Sequence, residues 1–506
     1  MIPKQWPDAV RLGLGPAWHA ARDPDRPAVV DGETGTTRTF GAFDAHANQL
    51  VRALRRRGLG AGDAVALLCH NGAAFAEVWA ACLRAGFRLT TVNWHLTPDE
   101  ASYIVRDCGA RALVADASAG AVPSTRGLAI RLAVGGALKG FDDYEAVLAA
   151  EHPGSIDDPV LGTAMLYTSE TTGYPKGVQK PPDPEGHLAS VLVFGYRPGH
   201  AHLCTGPMYH AAPFTISLVA PLTCGTPVVV MREWDAEQTL RLIERYRITH
   251  THLVPTMFHR LLGLPEAVRS RYDLTSLRAV VHGAAPCPIE VKRAMIEWWG
   301  PVLHEYYSAT EGYGTTVDSA MWLRKPGTVG LADPDRLFVG DTEGNRLPIG
   351  EHGLIWIQAT GAQRFTYFGD DAKTRSAFRG DHFTLGDIGR VDADGFLYLT
   401  DRSANLIISG GVNIYPAEVD AVLLTHPAVA DAGTIGVPDD EWGETVLAVV
   451  ELRPGAEATE EELLAFCRGR LAGFKCPRAV DFVDRLPRDE NGKLYKRRLR
   501  DNYRSP

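Results

Sequence analysis

The chain reads Thr168-Ser169-Glu170-Thr171-Thr172-Gly173-Tyr174-Pro175-Lys176-Gly177 directly after an apolar run that ends at Tyr167. The apolar run predicts a buried strand, and the stretch after it is rich in hydroxyls and glycine and carries a lysine. Hydroxyl and backbone N–H groups donate hydrogen bonds, glycine lets the backbone approach a ligand closely, and lysine supplies a positive charge. The stretch therefore predicts a phosphate-binding loop at the end of a strand, although it does not follow the GxxxxGK[ST] pattern of P-loop NTPases.

Composition indicates an ordinary globular protein with more than one domain. The chain has 506 residues, of which 45% are hydrophobic and 22% charged, and this length exceeds one compact core. A net charge of -9 argues against a general nucleic-acid binder, because such proteins carry a basic surface. The start of the sequence, Met1 to Asp8, lacks the apolar segment of a signal peptide, and no run of roughly 18 apolar residues that could span a membrane occurs. We therefore expect a cytoplasmic protein whose eight scattered cysteines are buried thiols.

Alternating helix and strand patterns predict an α/β fold. Residues 43–57 predict an amphipathic helix and residues 64–68 a strand, and Thr97-Pro98-Asp99-Glu100 predicts a helix that begins with a capping box. A further helix is predicted over 236–246 with Asp235 as its cap, and Asp394-Gly395 predicts a hairpin turn. We expect a large N-terminal domain of mixed sheets and helices, residues 1–401, and a small mobile α+β C-terminal domain, residues 402–506.

Further segments resemble, in the same order, those of the adenylate-forming superfamily of acyl-CoA ligases, luciferases and peptide-synthetase adenylation domains. These segments are Glu305 to Gly312, Leu385-Gly386-Asp387, Tyr398 to Arg402, Ile407 to Glu418, and Leu486 to Lys493. The resemblance covers residues 15 to 500, and Tyr306 to Glu311, the Leu-Gly-Asp variant and Ser403-Ala404 are similar to acyl-CoA ligases of the bile-acid, steroid and fatty-acid type. It implies the adenylate-forming fold and an enzyme that makes an acyl-CoA from a bulky apolar acid through an acyl-adenylate.

The resemblance also implies roles for individual residues. The catalytic residues would be Lys493, Glu311, Thr310 and His210, with Glu311 also holding Mg²⁺. The nucleotide-binding residues would be Thr168, Ser169, Glu170, Thr171, Thr172, Gly173, Lys176, Gly283, Ala284, Ala285, Tyr306, Tyr307, Asp387 and Arg402. The acyl pocket would contain Tyr209, Phe214, His282, Ser308, Ala309 and Gly312, the CoA tunnel Gly410 and Gly411, and the interdomain hinge Ala404.

One position departs from the family pattern, because Glu170 stands where the superfamily has glycine. A carboxylate about 4 Å from one phosphate charge costs roughly 4 kcal/mol at an effective dielectric near 20. If this repulsion impairs ATP use, the chain would mainly perform the second half-reaction, in which acyl-AMP and CoA give acyl-CoA and AMP. A separate ligase would then make the acyl-AMP. A solvent-facing Glu170 would instead leave an ordinary two-step ligase.

The sequence leaves both the acyl acceptor and the presence of catalysis open. The chain could load a carrier protein instead of CoA, or it could be a non-catalytic binder of acyl-adenylate or nucleotide. The expected ligands are acyl-AMP or AMP, CoA and a small-molecule carboxylic acid, together with ATP and Mg²⁺ if adenylation is retained. We expect no nucleic-acid partner and no membrane span, and a homodimer remains open.

Overall fold

The structure is a computed structural model that describes residues 2–120, 122–168, 175–409, 412–439, 442–489, 492 and 494–503, without the side chains of residues 404 and 497. Several predicted site residues lie outside the described residues: Ser169, Glu170, Thr171, Thr172, Gly173, Gly410, Gly411 and Lys493. The side chain of Ala404, the predicted hinge, is also outside the description.

The α-helices of the described residues are α1 (Trp6–Arg11), α2 (Gly15–Ala20), α3 (Phe40–Arg56), α4 (Ala73–Ala85), α5 (Pro98–Asp107), α6 (Tyr144–Ala149), α7 (Pro184–Leu192), α8 (Ala220–Thr223), α9 (Ala236–Tyr246), α10 (Pro255–Leu262), α11 (Glu266–Arg269), α12 (Ile289–Trp299), α13 (Ser319–Arg324), α14 (Asp371–Ala377), α15 (Pro416–Leu423), α16 (Glu460–Arg468) and α17 (Lys496–Asp501). A π-helix spans Pro213–Val219, and 3-10 turns span Gly361–Gln363, Ser403–Asn405 and Gly473–Lys475.

The strands are β1 (Pro27–Asp31), β2 (Thr37–Thr39), β3 (Ala64–Leu68), β4 (Arg88–Thr91), β5 (Ala110–Asp116), β6 (Ile130–Val134), β7 (Asp142–Asp143), β8 (Thr163–Ala164), β9 (Leu166–Thr168), β10 (Lys176–Gln179), β11 (His202–Cys204), β12 (Val228–Val230), β13 (His250–Leu253), β14 (Ala279–His282), β15 (Leu303–Ser308), β16 (Tyr313–Asp318), β17 (Gly330–Leu331), β18 (Leu337–Gly340), β19 (Gly353–Gln358), β20 (Thr366–Tyr367), β21 (Phe378–Arg379), β22 (His382–Val391), β23 (Phe396–Arg402), β24 (Ile407–Ser409), β25 (Val412–Ile414), β26 (Val429–Asp439), β27 (Gly443–Leu452) and β28 (Ala479–Phe482).

Two large sheets form the N-terminal part of the fold. An eight-stranded sheet has the order β16-β15-β14-β13-β11-β12-β1-β2, and a six-stranded sheet the order β7-β6-β5-β3-β4-β8. Side chains of α3 and α4 pack between them, because Phe43 and Phe75 belong to the same buried core as Val228 of one sheet and Val65 of the other. Helices between parallel strands produce this layered arrangement.

Smaller sheets surround the edge where the predicted loop lies. The antiparallel sheet β20-β10-β9 holds the two ends of that loop, since β9 ends at Thr168 and β10 begins at Lys176. A six-stranded sheet is formed by β17-β23-β22-β19-β18, with β21 pairing to β22. The C-terminal sheet β25-β24-β27-β26, with β28 beside β27, packs against α15 and α16.

Most of the predicted elements are present. Helix α5 begins with the predicted capping box at Thr97 and Glu100, and Asp235 caps α9. Helix α3 starts earlier than predicted, because the hydroxyl of Thr39 accepts a hydrogen bond from the backbone N–H of Ala42. The α/β class with a large N-terminal and a smaller C-terminal unit is confirmed. The predicted boundary falls within β23, whose last residue is Arg402. In the described part of the chain, no helix is both long and apolar enough to cross a membrane.

Candidate active site

A cavity of about 1710 Å³ opens between the N-terminal sheets and the C-terminal segment. Three parts of the chain that lie far apart in sequence reach this cavity. They are the start of the predicted phosphate-binding loop at Thr168, the 306–312 segment and Asp387. The predicted site residues that line it are Thr168, His210, Phe214, Ala284, Ala285, Tyr306, Tyr307, Ser308, Ala309, Thr310, Glu311, Gly312, Asp387 and Arg402. The fold thus brings the predicted nucleotide and acyl segments to one place.

Asp387 is held and oriented by two neighbours. Its Oδ1 accepts a hydrogen bond from Nε of Arg402 at 2.9 Å, and its Oδ2 accepts one from the Tyr307 hydroxyl at 2.8 Å. Asp387 and Arg402 are cross-strand partners in β22 and β23. The Asp387 carboxylate raises the pKa of Arg402. The pKa of Tyr307 is also raised, mainly by burial and secondly by the Asp387 charge. A fixed carboxylate acceptor of this kind suits two vicinal hydroxyls.

Glu311 is a second carboxylate of the cavity and is only 5% exposed. Its Oε1 accepts a hydrogen bond from the Tyr367 hydroxyl at 3.0 Å. Burial raises the pKa of Glu311, while the charges of Lys180 and Arg402 oppose that rise. Burial lowers the pKa of Lys180, whose side chain also lines the cavity. Glu311 therefore lies in a partly desolvated setting with cations near it.

The residues around Glu311 fit a magnesium ion that is held mainly by a nucleotide. The described part of the chain has no cluster of three or more carboxylate, histidine or cysteine side chains that could hold a metal alone. Mg²⁺ in nucleotide enzymes uses one or two carboxylates and completes its shell with phosphate oxygens and water. Glu311, with the Thr310 hydroxyl next to it in sequence, would supply the protein part of that shell.

His210 lines the cavity just before the π-helix that begins at Pro213. Its backbone carbonyl accepts a hydrogen bond from the N–H of Phe214 at 2.9 Å, and its ring lies 4.5 Å from the ring of Tyr209, centroid to centroid. π-helical turns are rare and often occur at functional sites. The π-helix directs Phe214 and Ile216 to the cavity wall.

The wall at residues 283–285 has an unusual backbone. Ala284 has a φ of 67°, in the left-handed region that non-glycine residues rarely adopt. The preceding Gly283 has no room for a side chain, because a Cβ there would lie 2.6 Å from the carbonyl oxygen of Tyr306. Ala284 and Ala285 line the cavity. A strained backbone of this kind is typical of ligand-binding sites.

One predicted acyl-pocket residue, His282, does not line the cavity. His282 is fully buried and packs edge-on against Phe258, with ring centroids 5.0 Å apart. Ala279 and Val281 of the same strand face the cavity, so His282 points to the opposite face of the sheet. Burial lowers its pKa well below the usual range. His282 is not among the residues that line the cavity, and its assignment to the acyl pocket stays a prediction.

Three more predicted residues do not reach the cavity wall. Tyr209 is 6% exposed and packs in the core between the two large sheets, and its acyl-pocket assignment stays a prediction. Nζ of Lys176 lies 3.3 Å from Oδ2 of Asp370 instead of lining the cavity. Gly283 packs its backbone against the ring of Tyr306 and has no side chain that could reach the cavity.

The segment that leads to Lys493 lies against the N-terminal part of the fold. Gly492 has a φ of 71°, and a Cβ there would overlap Oγ1 of Thr256 at the start of α10. Arg488 and Leu494, on either side of Lys493 in sequence, line the cavity. The C-terminal unit thus presents its predicted catalytic segment to the cavity.

The sequence interpretation missed three residues of this site. Lys180 lies in a proline-rich connector, His252 in a strand with no motif, and Tyr367 in a two-residue strand. All three line the cavity. The proline-rich segment after the predicted loop is a sequence signal that could have identified Lys180. His252 and Tyr367 have no such signal, because sheet pairing places them at the cavity.

Comparison with known proteins agrees with this geometry. A family model described as "AMP-binding enzyme" matches residues 16–364, and one described as "AMP-binding enzyme C-terminal domain" matches residues 418–493. The fatty acid–[acyl-carrier-protein] ligase ScoC of Streptomyces coeruleorubidus is 33% identical over 504 residues, covering 96% of this chain and 95% of that protein. Feruloyl-CoA synthase of an Amycolatopsis species is 32% identical over 514 residues, covering 97% and 99%. The structure of o-succinylbenzoate CoA synthetase from Bacillus subtilis, in complex with its acyl-adenylate intermediate, matches with a TM-score of 0.81 and 28% identity over 97% of this chain and 98% of that one.

Proposed function

Because this chain belongs to the AMP-binding enzyme family of adenylate-forming acyl ligases, we propose that it makes an acyl-CoA from a bulky, largely apolar acid and that ATP-dependent adenylation is its weak half-reaction. The observation that carries the acyl-adenylate chemistry is the meeting of Asp387, Arg402 and Glu311 in one cavity. These residues offer a hydroxyl-binding carboxylate for ribose and a carboxylate with nearby cations for the phosphate end.

In the first half-reaction, a carboxylate oxygen of the acid attacks the α-phosphorus of ATP, and the bond to pyrophosphate breaks. Two anions must approach each other, so positioning and charge neutralisation dominate the catalysis. We assign Lys493 to the attacking carboxylate and Thr310 to a phosphate oxygen. When bound at Glu311, Mg²⁺ supplies positive charge to the phosphates.

In the second half-reaction, the CoA sulfur attacks the acyl carbonyl carbon, and the carbon–oxygen bond to AMP breaks. AMP leaves with the electron pair of that bond, and the thiol proton must be accepted by a base or by solvent. We assign this proton to His210, which lines the cavity. Rotation of the C-terminal unit about Ala404 would bring Gly410 and Gly411 to the CoA tunnel and withdraw Lys493.

The charge of Glu170 supports a weak first half-reaction. ATP brings three linked phosphates to the loop, whereas acyl-AMP keeps one phosphate charge and lacks the β- and γ-phosphates. A repulsion of roughly 4 kcal/mol corresponds to about a thousandfold in rate or affinity. The loss should therefore fall on ATP use, and a separate adenylating ligase would supply acyl-AMP.

The apolar part of the cavity wall supports a bulky acid. It is lined by Val193, Phe194, Phe214, Ile216 and Val281, and side chains of this kind suit a large hydrocarbon body.

None of these assignments requires a homodimer. Light scattering would measure the oligomeric state.

An acyl carrier protein is the second candidate acceptor, favoured by the 33% identity to a fatty acid–[acyl-carrier-protein] ligase. Transfer from one acyl-AMP to CoA and to a phosphopantetheinylated carrier protein would separate the two acceptors. A higher kcat/KM with the carrier protein would replace CoA as the proposed acceptor.

The deciding experiment compares two rates for the same acid. Wild type given acid, ATP, Mg²⁺ and CoA should form little acyl-CoA, whereas preformed acyl-AMP and CoA should react readily. Glu170→Gln removes the charge at similar size, and Glu170→Gly also restores backbone freedom, so the pair separates charge from conformation. Equal rates in the two wild-type assays would show an ordinary two-step ligase. Failure to form acyl-CoA from any acyl-AMP would favour a non-catalytic binder.

A further inference from the structure

Strand β15 directs two adjacent tyrosines to opposite faces of its sheet. Burial alternates along Leu303–Ser308, with Tyr307 buried and Tyr306 half-buried. Tyr307 donates its hydroxyl hydrogen bond to Asp387 at 2.8 Å. Tyr306 also lines the cavity but points to the other side of the strand. The two rings therefore face different parts of a bound ligand.

The hydroxyl of Tyr306 reaches His252 across an intervening strand. The oxygen lies 3.0 Å from Nε2 of His252 on β13, and β14 runs between β13 and β15. The ring passes Gly283, the residue that follows β14, where a Cβ would lie 2.7 Å from the tyrosine ring. The missing side chain at Gly283 is thus what permits the contact between Tyr306 and His252.

Both members of this pair are neutral at pH 7. Burial lowers the pKa of His252 to about 4 and raises the pKa of Tyr306. A phenol can both donate and accept, and its bond to the imidazole uses one of these capacities. Within the described residues, His252 is the one hydrogen-bond partner of the Tyr306 hydroxyl. The phenol therefore keeps a hydrogen-bonding position for a ligand.

The wall next to this pair is apolar. His252 is the register partner of Val281, and Val281 and Ala279 face the cavity from β14. A hydrocarbon that covered Tyr306 would remove water from its hydroxyl without replacing the lost hydrogen bond, which is unfavourable. A ligand oxygen at this point would restore that bond.

We propose that Tyr306 and His252 recognise an oxygen, either a hydroxyl or a carbonyl, on the body of the acyl group, away from its reacting carboxyl. The acid is then an oxygenated one and not a plain hydrocarbon of the same size. This inference rests on the proposed function, which places the acyl-adenylate in this cavity. Tyr306, predicted from the sequence as nucleotide-binding, becomes a specificity-determining residue.

The test uses non-reactive acyl-adenylate analogues, the N-acylsulfamoyl adenosines of cinnamic acid and of its 2-, 3- and 4-hydroxy and 2-, 3- and 4-acetyl derivatives. Their affinities are measured by calorimetry, so the result does not depend on turnover. Wild type should bind at least one oxygenated analogue about ten- to a hundredfold more tightly than the cinnamoyl analogue. The hydroxy and acetyl series distinguish a hydroxyl from a carbonyl.

Tyr306→Phe should abolish that preference while leaving affinity for the cinnamoyl analogue unchanged or slightly higher. His252→Leu, which removes the imidazole that positions the Tyr306 hydroxyl, should reduce the preference in the same way, and it carries the test if Tyr306→Phe does not fold. The inference is overturned if no oxygenated analogue is preferred, or if these variants weaken all analogues equally. Absence of binding by every analogue would instead refute the proposed function.

Discussion

Nη2 of Arg453 donates a hydrogen bond to Nε2 of His259 at 3.2 Å, and this contact joins the C-terminal sheet to α10 of the N-terminal part. Nη1 of Arg453 lies near Gly263, where a Cβ would be 3.1 Å from it. A neutral imidazole can accept this bond, but a protonated one cannot. The contact therefore holds the C-terminal segment at the cavity in its present orientation and depends on the charge of His259.

We expect this contact to weaken in acid. Burial, followed by the Arg453 charge, lowers the pKa of His259. A depressed histidine pKa means that the stabilising contact is complete above the ordinary value of about 6.5 and is lost as pH falls through the lowered pKa. Proteolysis within 403–409 should accelerate over that interval. Arg453→Ala should accelerate it by about tenfold at pH 7, whereas the exposed Arg470→Ala should not. Unchanged cleavage in Arg453→Ala would contradict the prediction.

Asp387→Asn should weaken AMP binding by about ten- to a hundredfold. The change removes a charged acceptor and leaves the Arg402 guanidinium without its partner. Isothermal calorimetry with AMP measures the effect, and wild type should bind acyl-adenylate at least as tightly as ATP. Asp381→Asn, which removes an exposed carboxylate paired with Arg364, is the matched control. Equal affinities for Asp387→Asn and wild type would exclude a ribose contact.

Lys180→Met should change the pH dependence of the ATP half-reaction. The Lys180 charge opposes the burial that raises the pKa of Glu311, so its removal should raise that pKa further. The acidic limb of Mg²⁺-dependent pyrophosphorolysis of acyl-AMP should then move to higher pH, by up to about one unit. Lys139→Met, at an exposed position, should leave the limb in place. A profile that does not move would mean that Lys180 does not influence Glu311.

His282→Leu should not destabilise the protein at pH 7 and should improve its resistance to acid. Neither ring nitrogen of His282 has a hydrogen-bond partner among the described residues, and the side chain is fully buried. Burial lowers its pKa, so the unfolded state takes up a proton first as pH falls below about 6.5, and stability declines from there. Thermal unfolding from pH 7 to pH 5 should show a smaller decline for His282→Leu than for wild type. The exposed His152→Leu should match wild type, and a loss above about 2 kcal/mol at pH 7 would refute the prediction.

Local signals predicted much of the fold. The capping box at Thr97 and the cap at Asp235 are interactions between residues a few positions apart, so the sequence displays them directly. The strand 64–68 is an uninterrupted apolar run that is buried along its whole length. The hairpin at Asp394-Gly395 also forms, with Gly395 at a φ of 84°.

Contacts across strands could not be predicted in the same way. His252 and Tyr306 are 54 residues apart, and their contact depends on the order of three strands and on one glycine between them. Tyr209 and His282 were assigned to the acyl pocket from short motifs, and a short motif does not reveal which face of an element a residue occupies. The pairing of β10 with β20, where Val178 is opposite Tyr367, helps to bring Lys180 near Glu311.

Gly283 has a consequence for how the substrate range of this chain could diverge. Its backbone touches the ring of Tyr306 and leaves the ligand-facing atoms to other residues. One nucleotide exchange in a glycine codon gives alanine, and the added methyl group would overlap both the carbonyl oxygen and the ring of Tyr306, so that β15 and its tyrosine would have to shift. The preference for an acid would then shift while every residue that contacts it stays the same. A new substrate preference could thus arise through a position that an inspection of ligand contacts would overlook.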